Sequence, residues 1–121
     1  MNIETLREYC ISKGGVTEGF PFDDDTLAFK VGNKIFFLAN LASARTFNVK
    51  CEPEKAIVLR EEFNDIKPGF HMNKQHWNTV CYTGSLTDKM LFILIDHSYD
   101  LVYKSLSKNL LQLINNSKIN N

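Results

Sequence analysis

Two short runs of alternating apolar and polar residues, joined by Gly32-Asn33, restrict what this chain can fold into more than any other feature. Leu27, Phe29 and Val31 alternate with Thr26, Ala28 and Lys30, and Lys34-Ile35-Phe36-Phe37-Leu38-Ala39 follows the turn. Period-two alternation sends one set of side chains to each side of a strand, and Gly-Asn accommodates the positive φ of a two-residue hairpin. Phe47, Val49 and Cys51 alternate with Thr46, Asn48 and Lys50, extending the hairpin to a three-stranded meander. Trp77 to Tyr82, closed by Gly84, reads as one further strand.

Helical spacing flanks these strands. Ile3, Leu6, Cys10 and Lys13 recur after Asn2, a good N-cap, and Gly14-Gly15 supplies a left-handed stop. Pro53 suits a first helical position, and Ala56, Leu59, Arg60 and Phe63 form the buried stripe that follows, with the Arg60 head snorkelling to water. Leu91, Leu94, Ile95, Ser98 and Val102, widened by Met90, Ile93 and Leu101, mark the longest helix. Either Ser85 with Asp88 forms its capping box, or Thr87 caps it and Leu86 staples to Leu91. From Ser107 the pattern loosens, which predicts a single domain over residues 1–107 and a frayed tail over 108–121. The order α-β-β-β-α-β-α predicts an α+β two-layer sandwich, an antiparallel sheet with helices on one face.

Charge bears on partners. Fourteen Lys plus Arg balance fourteen Asp plus Glu over 121 residues, so attraction to a polyanion has to come from a local patch. Lys30, Lys34 and Lys50 lie on the polar strand positions or at the hairpin turn, with Arg45 near the next turn and Lys74 in a polar loop. Five such cations neutralising phosphates give a log-affinity against log-salt slope of roughly −4. The competing reading is a solvated sheet face whose lysines serve solubility and edge protection.

His71, Asn73, Lys74, His76 and Trp77 set hydrogen-bond donors beside an aromatic plate. Strand alternation here places Asn73, Gln75 and Trp77 on one side and Lys74, His76 and Asn78 on the other. This stretch suits a phosphate, a stacked base or a peptide. Alternatively Trp77 is the main core anchor and the histidines bind backbone carbonyls.

No catalytic residue, metal site or cofactor motif is assigned. Asp23-Asp24-Asp25 lacks the alternate spacing of a calcium loop, His71 and His76 have no third ligand, and His97 and Ser98 diverge by about 100° on a helix. Cys10, Cys51 and Cys81 are too scattered for a disulfide framework and read as small core residues in a reducing compartment. The N-terminus lacks a signal-peptide pattern, and Met90 to Ile95 is too short to span a bilayer. These features predict a soluble, cytoplasmic monomer.

Several stretches together resemble one family. They are Phe20-Pro21-Phe22 with Thr26, Phe29-Lys30-Val31, Lys34-Ile35-Phe36, Pro53, Leu59-Arg60-Glu61, Pro68-Gly69-Phe70-His71-Met72-Asn73-Lys74, His76-Trp77-Asn78-Thr79-Val80 and Ser98-Tyr99-Asp100-Leu101-Val102. On these residues the chain is similar to the MmcQ/YjbR-like proteins. The resemblance implies a frataxin-like (CyaY-like) fold and DNA binding of a double-wing type. Joined to the cationic strip, it implies a non-enzymatic protein that binds DNA by its backbone with weak sequence preference. The alternative is an adaptor that holds a protein segment or a small anionic ligand in the His71 to Trp77 loop.

Overall fold

A computed structural model describes the backbone of residues 1–120, and side chains as far as Asn116. The elements are α1 (Ile3–Ile11), β1 (Val16–Gly19), β2 (Thr26–Val31), β3 (Lys34–Asn40), β4 (Thr46–Lys50), α2 (Pro53–Glu62), β5 (Ile66–Pro68), β6 (Trp77–Cys81), α3 (Asp88–Lys104) and α4 (Lys108–Asn120). The six strands form one sheet in the order β1-β2-β3-β4-β6-β5, with every neighbouring pair antiparallel.

The α+β class stands, but the order α-β-β-β-α-β-α is two strands and one helix short. Strand β1 carries a single apolar side chain, Val16, so its sequence shows no alternation. It exists because its backbone pairs with the edge of β2, from Val16 opposite Val31 to Gly19 opposite Ala28. Strand β5 spans three residues and ends on a proline, which suits an edge. The tail expected to fray over 108–121 instead holds α4, and Ile114 is buried in the core. Gly15, at φ +72°, makes this docking feasible, because a Cβ there would lie 2.9 Å from two Ile114 side-chain carbons.

One sheet face carries the core. Leu27, Phe29, Val31, Phe37, Ala39, Phe47, Val49, Ile66 and Val80 meet Leu6 and Cys10 of α1, Ala56 and Leu59 of α2, and Leu91, Ile95 and Val102 of α3. Phe37 stacks on Phe47 at 4.9 Å and meets Phe29 edge-on at 5.4 Å. Such pairs contribute about 0.5–1.5 kcal/mol each beyond area burial. Thr87 settles the start of α3, its side chain accepting from Met90 N at 3.1 Å. Ser85 is drawn away to the Asp65 carboxylate, and these two hydrogen bonds hold that carboxyl below the usual range.

The register shifts between Phe29 and Lys30, so that Phe29 pairs with Phe37 and Lys30 with Ile35. Phe36 is the extra residue and has no partner across β2. On its other side the β3–β4 ladder opens after Phe37 and Val49. The Ser98 hydroxyl enters this gap from α3, donating to Phe36 O at 2.6 Å and accepting from Lys50 N at 2.8 Å. A fully buried serine therefore does the work of a ladder bond.

Candidate functional site

The alternate strand residues face away from the helices. Thr17, Gly19, Ala28, Lys30, Ile35, Leu38, Asn48, Lys50, Lys67, Trp77 and Thr79 occupy these positions by register. Ala28 and Leu38 are buried yet lie outside the core cluster, which marks them as the floor of a second, helix-free face.

Trp77 sits in the middle of the cationic part of that face. Lys50 is its direct partner on β4, and Lys67 on β5 pairs with Thr79, two residues along β6. Direct partners have Cβ atoms about 4.5–5.5 Å apart and diagonal ones about 7–8 Å, so the indole has a cation on each flanking strand. Lys30 lies two strands from Lys50, roughly 10 Å across the sheet. The ion pairs among the described residues are Arg7–Glu18 and Lys13–Asp96, and neither involves these lysines. Asp65 feels the Lys67 charge without forming an ion pair with it, and its Oδ2 accepts from Ser85 N and Oγ.

Gly69 makes room for the indole. A Cβ at this position would lie 2.8 Å from Trp77 Cβ and 2.9 Å from Trp77 O, while Gly69 N donates to that oxygen at 2.8 Å. The loop then turns outward. Phe70 N donates to Thr79 Oγ1 at 2.8 Å, Thr79 Oγ1 donates to Asn48 Oδ1, and the exposed Phe70 ring lies 4.1 Å from the His71 ring. At the other edge Thr17, Glu18, Gly19, Phe20, Pro21, Ala28 and Lys30 line a cleft of about 260 Å³.

The candidate residues divide. Lys30, Lys50 and Trp77 share the open face. Lys34 turns to the end of α3, where its Nζ donates to Ser105 Oγ at 3.2 Å and Ser105 O at 3.4 Å, at the negative end of the helix dipole. Arg45 is exposed in the turn before β4, at the opposite end of that strand from Lys50. Lys74 Nζ donates to Gly69 O at 3.1 Å, and Asn73 Oδ1 accepts from Gln75 N at 2.9 Å and His76 N at 3.2 Å, so both groups hold their own loop. His76 is half-buried and its carbonyl accepts from Cys51 N at 2.8 Å, whereas His71 is exposed at φ +60°.

Three expectations are corrected here. Trp77 is half-buried on the open face and is not the core anchor, a place taken by Phe29, Phe36, Phe37 and Phe47. The alternation drawn through Asn73 to Asn78 holds only for Trp77 and Asn78, because residues 73–76 form a turn. Arg60 does not reach into water. Its Nε donates to Asn78 Oδ1 at 2.7 Å, and its Nη2 donates to Trp77 O at 3.1 Å and to Lys74 O. Thus α2 clamps the loop from beneath while Trp77 faces outward.

The other reactive-looking groups are engaged in the fold. His97 Nε2 accepts from Glu52 N at 3.3 Å, and burial, aided by Lys55, lowers its pKa, so the imidazole is neutral and turned away from Ser98. Asp23 accepts from Asp25 N, Thr26 N and Thr26 Oγ1, which lowers its pKa and makes it a turn cap. The nearest acid of this turn, Asp25, lies five residues before Lys30, roughly 17 Å along the strand direction. Burial pushes the Cys10 thiol up to about 12. Among the described residues no three His, Cys, Asp or Glu side chains are grouped to hold a metal, and no helix is long and apolar enough to cross a membrane.

Sequence reasoning missed Lys67 and the Phe20 cleft. The register of a three-residue strand is not legible in Ile66-Lys67-Pro68, and the cleft depends on β1, which has no sequence signal of its own.

Fold and surface together define a class: an α+β protein with a six-stranded antiparallel sheet and four helices, α1, α2 and α3 packed on one sheet face and a helix-free, lysine-bearing face opposite. Within that class the chain belongs to the YjbR family, whose model matches residues 11–101. It is similar to the protein YjbR of Escherichia coli K12, with 35% identity over 100 residues, 82% of this chain and 85% of that protein. It is also similar to YbdF of Escherichia coli O157:H7, with 34% identity over 106 residues and 87% of each chain covered. Among solved structures, the Deinococcus radiodurans protein DR2400, a DUF419 domain, superposes with a TM-score of 0.88 at 33% identity, covering 94% of this chain and 88% of that one. A Pseudomonas syringae crystal structure gives 0.73 at 27% identity, covering 84% and 99%.

Proposed function

We propose that this YjbR-family protein is a non-enzymatic nucleic-acid-binding module whose open sheet face engages the phosphate backbone with little sequence preference. The observation that carries this reading is the placement of Lys50 and Lys67 on either side of Trp77, with Lys30 on the same face and none of the three lysines ion-paired. In this reading the β1–β2 and β5–β6 hairpins, at the two edges of the sheet, would serve as the two wings. The Asp23 turn repels phosphates from one end and biases the path toward the lysine end. No helix presents itself to a major groove on this face, so readout by a recognition helix has no part in this mode.

With Lys34 and Lys74 committed elsewhere, Arg45 at the far end of β4 and Lys67 added, three phosphate contacts replace the five read from sequence. The expected salt slope on duplex DNA is about −2.7, at about −0.9 per contact. Lys30→Ala with Lys50→Ala is expected to reduce it to about −0.9 and to weaken binding roughly ten- to hundredfold at about 0.1 M salt. Fluorescence anisotropy of a labelled oligonucleotide across about 50–200 mM salt measures both. An unchanged slope in the double variant contradicts the reading.

A further inference from the structure

Backbone contact alone leaves the aromatic groups of this face without a role. Trp77 is half-buried with a lysine position on each flanking strand, Phe70 is 67% exposed in the loop that leads to it, tied by its N to Thr79 Oγ1, and Phe20, 49% exposed, walls the cleft that contains Lys30. The exposed Phe20 and Phe70 rings offer faces that a duplex cannot use, because paired and stacked bases hide their own faces within the helix. Unpaired bases offer those faces. Every base has one, so stacking is sequence-tolerant, in keeping with backbone-led binding of weak sequence preference.

Resting on the nucleic-acid reading above, we infer that the ligand is a single strand, with unpaired bases stacked on Trp77 and Phe70 and in the Phe20 cleft, and phosphates on Lys30, Lys50 and Lys67. The dimensions agree. From β2 to β6 is three strand spacings, roughly 14 Å, and an open sheet of four strands elsewhere carries two or three stacked bases. Ala28 and Leu38, buried beneath their neighbours between the two aromatic ends, place no charged or bulky exposed side chain of their own in that path. The Arg60 clamp fixes the backbone carbonyl of Trp77, so the indole is preorganised for stacking.

The chain's single tryptophan makes the test direct, since intrinsic emission reports on Trp77 alone. An oligothymidylate of about 15 nucleotides, near the upper site size of such surfaces, is titrated against a duplex of equal length at low salt. The single strand is expected to quench Trp77 emission and to bind at least about tenfold more tightly than the duplex, within what one stacked base contributes. Anisotropy with labelled strands then reads Phe70→Ala, which is expected to lose about tenfold on the single strand and nothing on the duplex. Equal affinities with unchanged emission would overturn the single-strand inference while leaving backbone binding intact. Binding of neither ligand would overturn the proposed function, and the inference with it.

Discussion

Ser98→Ala is expected to destabilise the protein by about 2–4 kcal/mol, because it leaves a buried carbonyl and a half-buried amide of the backbone without their partner. The substitution removes one oxygen from a fully buried site, so cavity formation contributes little. What is lost is the bridge from Lys50 N to Phe36 O. The Phe36 carbonyl belongs to the extra residue of the bulge and has no partner on β2 to return to. For a chain of this size the loss corresponds to roughly 10 °C in Tm. Thermal unfolding gives the magnitude, and amide hydrogen exchange gives the location, with the Lys50 amide the first of its strand to lose protection. A shift below about 0.5 kcal/mol, the range of ordinary surface substitutions, contradicts this account of the bulge. The same change loosens the backbone that aims Lys50, so under the proposed function nucleic-acid affinity is expected to fall with stability.

Arg60→Met is expected to cost a similar amount, about 2–4 kcal/mol, and to release the loop as well. Methionine preserves most of the apolar stem, so the effect isolates the guanidinium. Hydrogen bonds to a charged donor contribute about 1.5–3 kcal/mol each, and this one group serves Asn78, Trp77 and Lys74. Asn78 is buried and its Nδ2 already has no partner, so losing Arg60 leaves the whole amide unsatisfied. Removing both sides should then recover much of the loss. The double variant Arg60→Met with Asn78→Val is expected to be at least about 1 kcal/mol more stable than Arg60→Met alone, since an apolar pair carries no desolvation debt. Denaturant unfolding of the three variants closes the cycle. A double variant no more stable than the worse single variant contradicts the clamp.

These two residues show where sequence reading stops. The helical stripe places Ser98 on the buried side of α3 correctly, but its hydroxyl has a task only because the β2–β3 register slips at Phe29, and a slip leaves no local trace. Arg60 is likewise placed on the buried stripe of α2. Snorkelling is the default for a lone arginine, and its true destination, a hairpin loop 14 to 18 residues further on, is a tertiary event. The central hairpin is legible because Leu27, Phe29 and Val31 are all buried while Gly32 takes the positive φ (63°) that the turn needs. β1 and β5 are illegible because edge strands need only backbone partners. α4 is obscured by Asn115, Asn116, Ser117 and Asn120, weak helix formers that mask the helical spacing of Leu110, Leu111 and Ile114.

The candidate surface was half legible. Alternation puts Lys30 and Lys50 on the same side, and the register confirms the shared face. Lys34 and Lys74 differ from them only in what lies within reach, the carbonyl end of α3 for one and Gly69 for the other. Sequence order carries no information about such neighbours. Lys67 reverses the case, since a residue with no pattern of its own arrives beside Trp77 through β5–β6 pairing.

The central claim is that the helix-free side of the sheet is where an anionic strand docks, and backbone amide chemical-shift mapping during titration with a short single-stranded oligonucleotide tests it most directly. The account predicts shifts concentrated at Lys30, Leu38, Lys50, Lys67, Trp77 and Thr79, with α1 and α4 unmoved. Shifts confined to the helices, or spread evenly with none at Lys50 and Trp77, would contradict it.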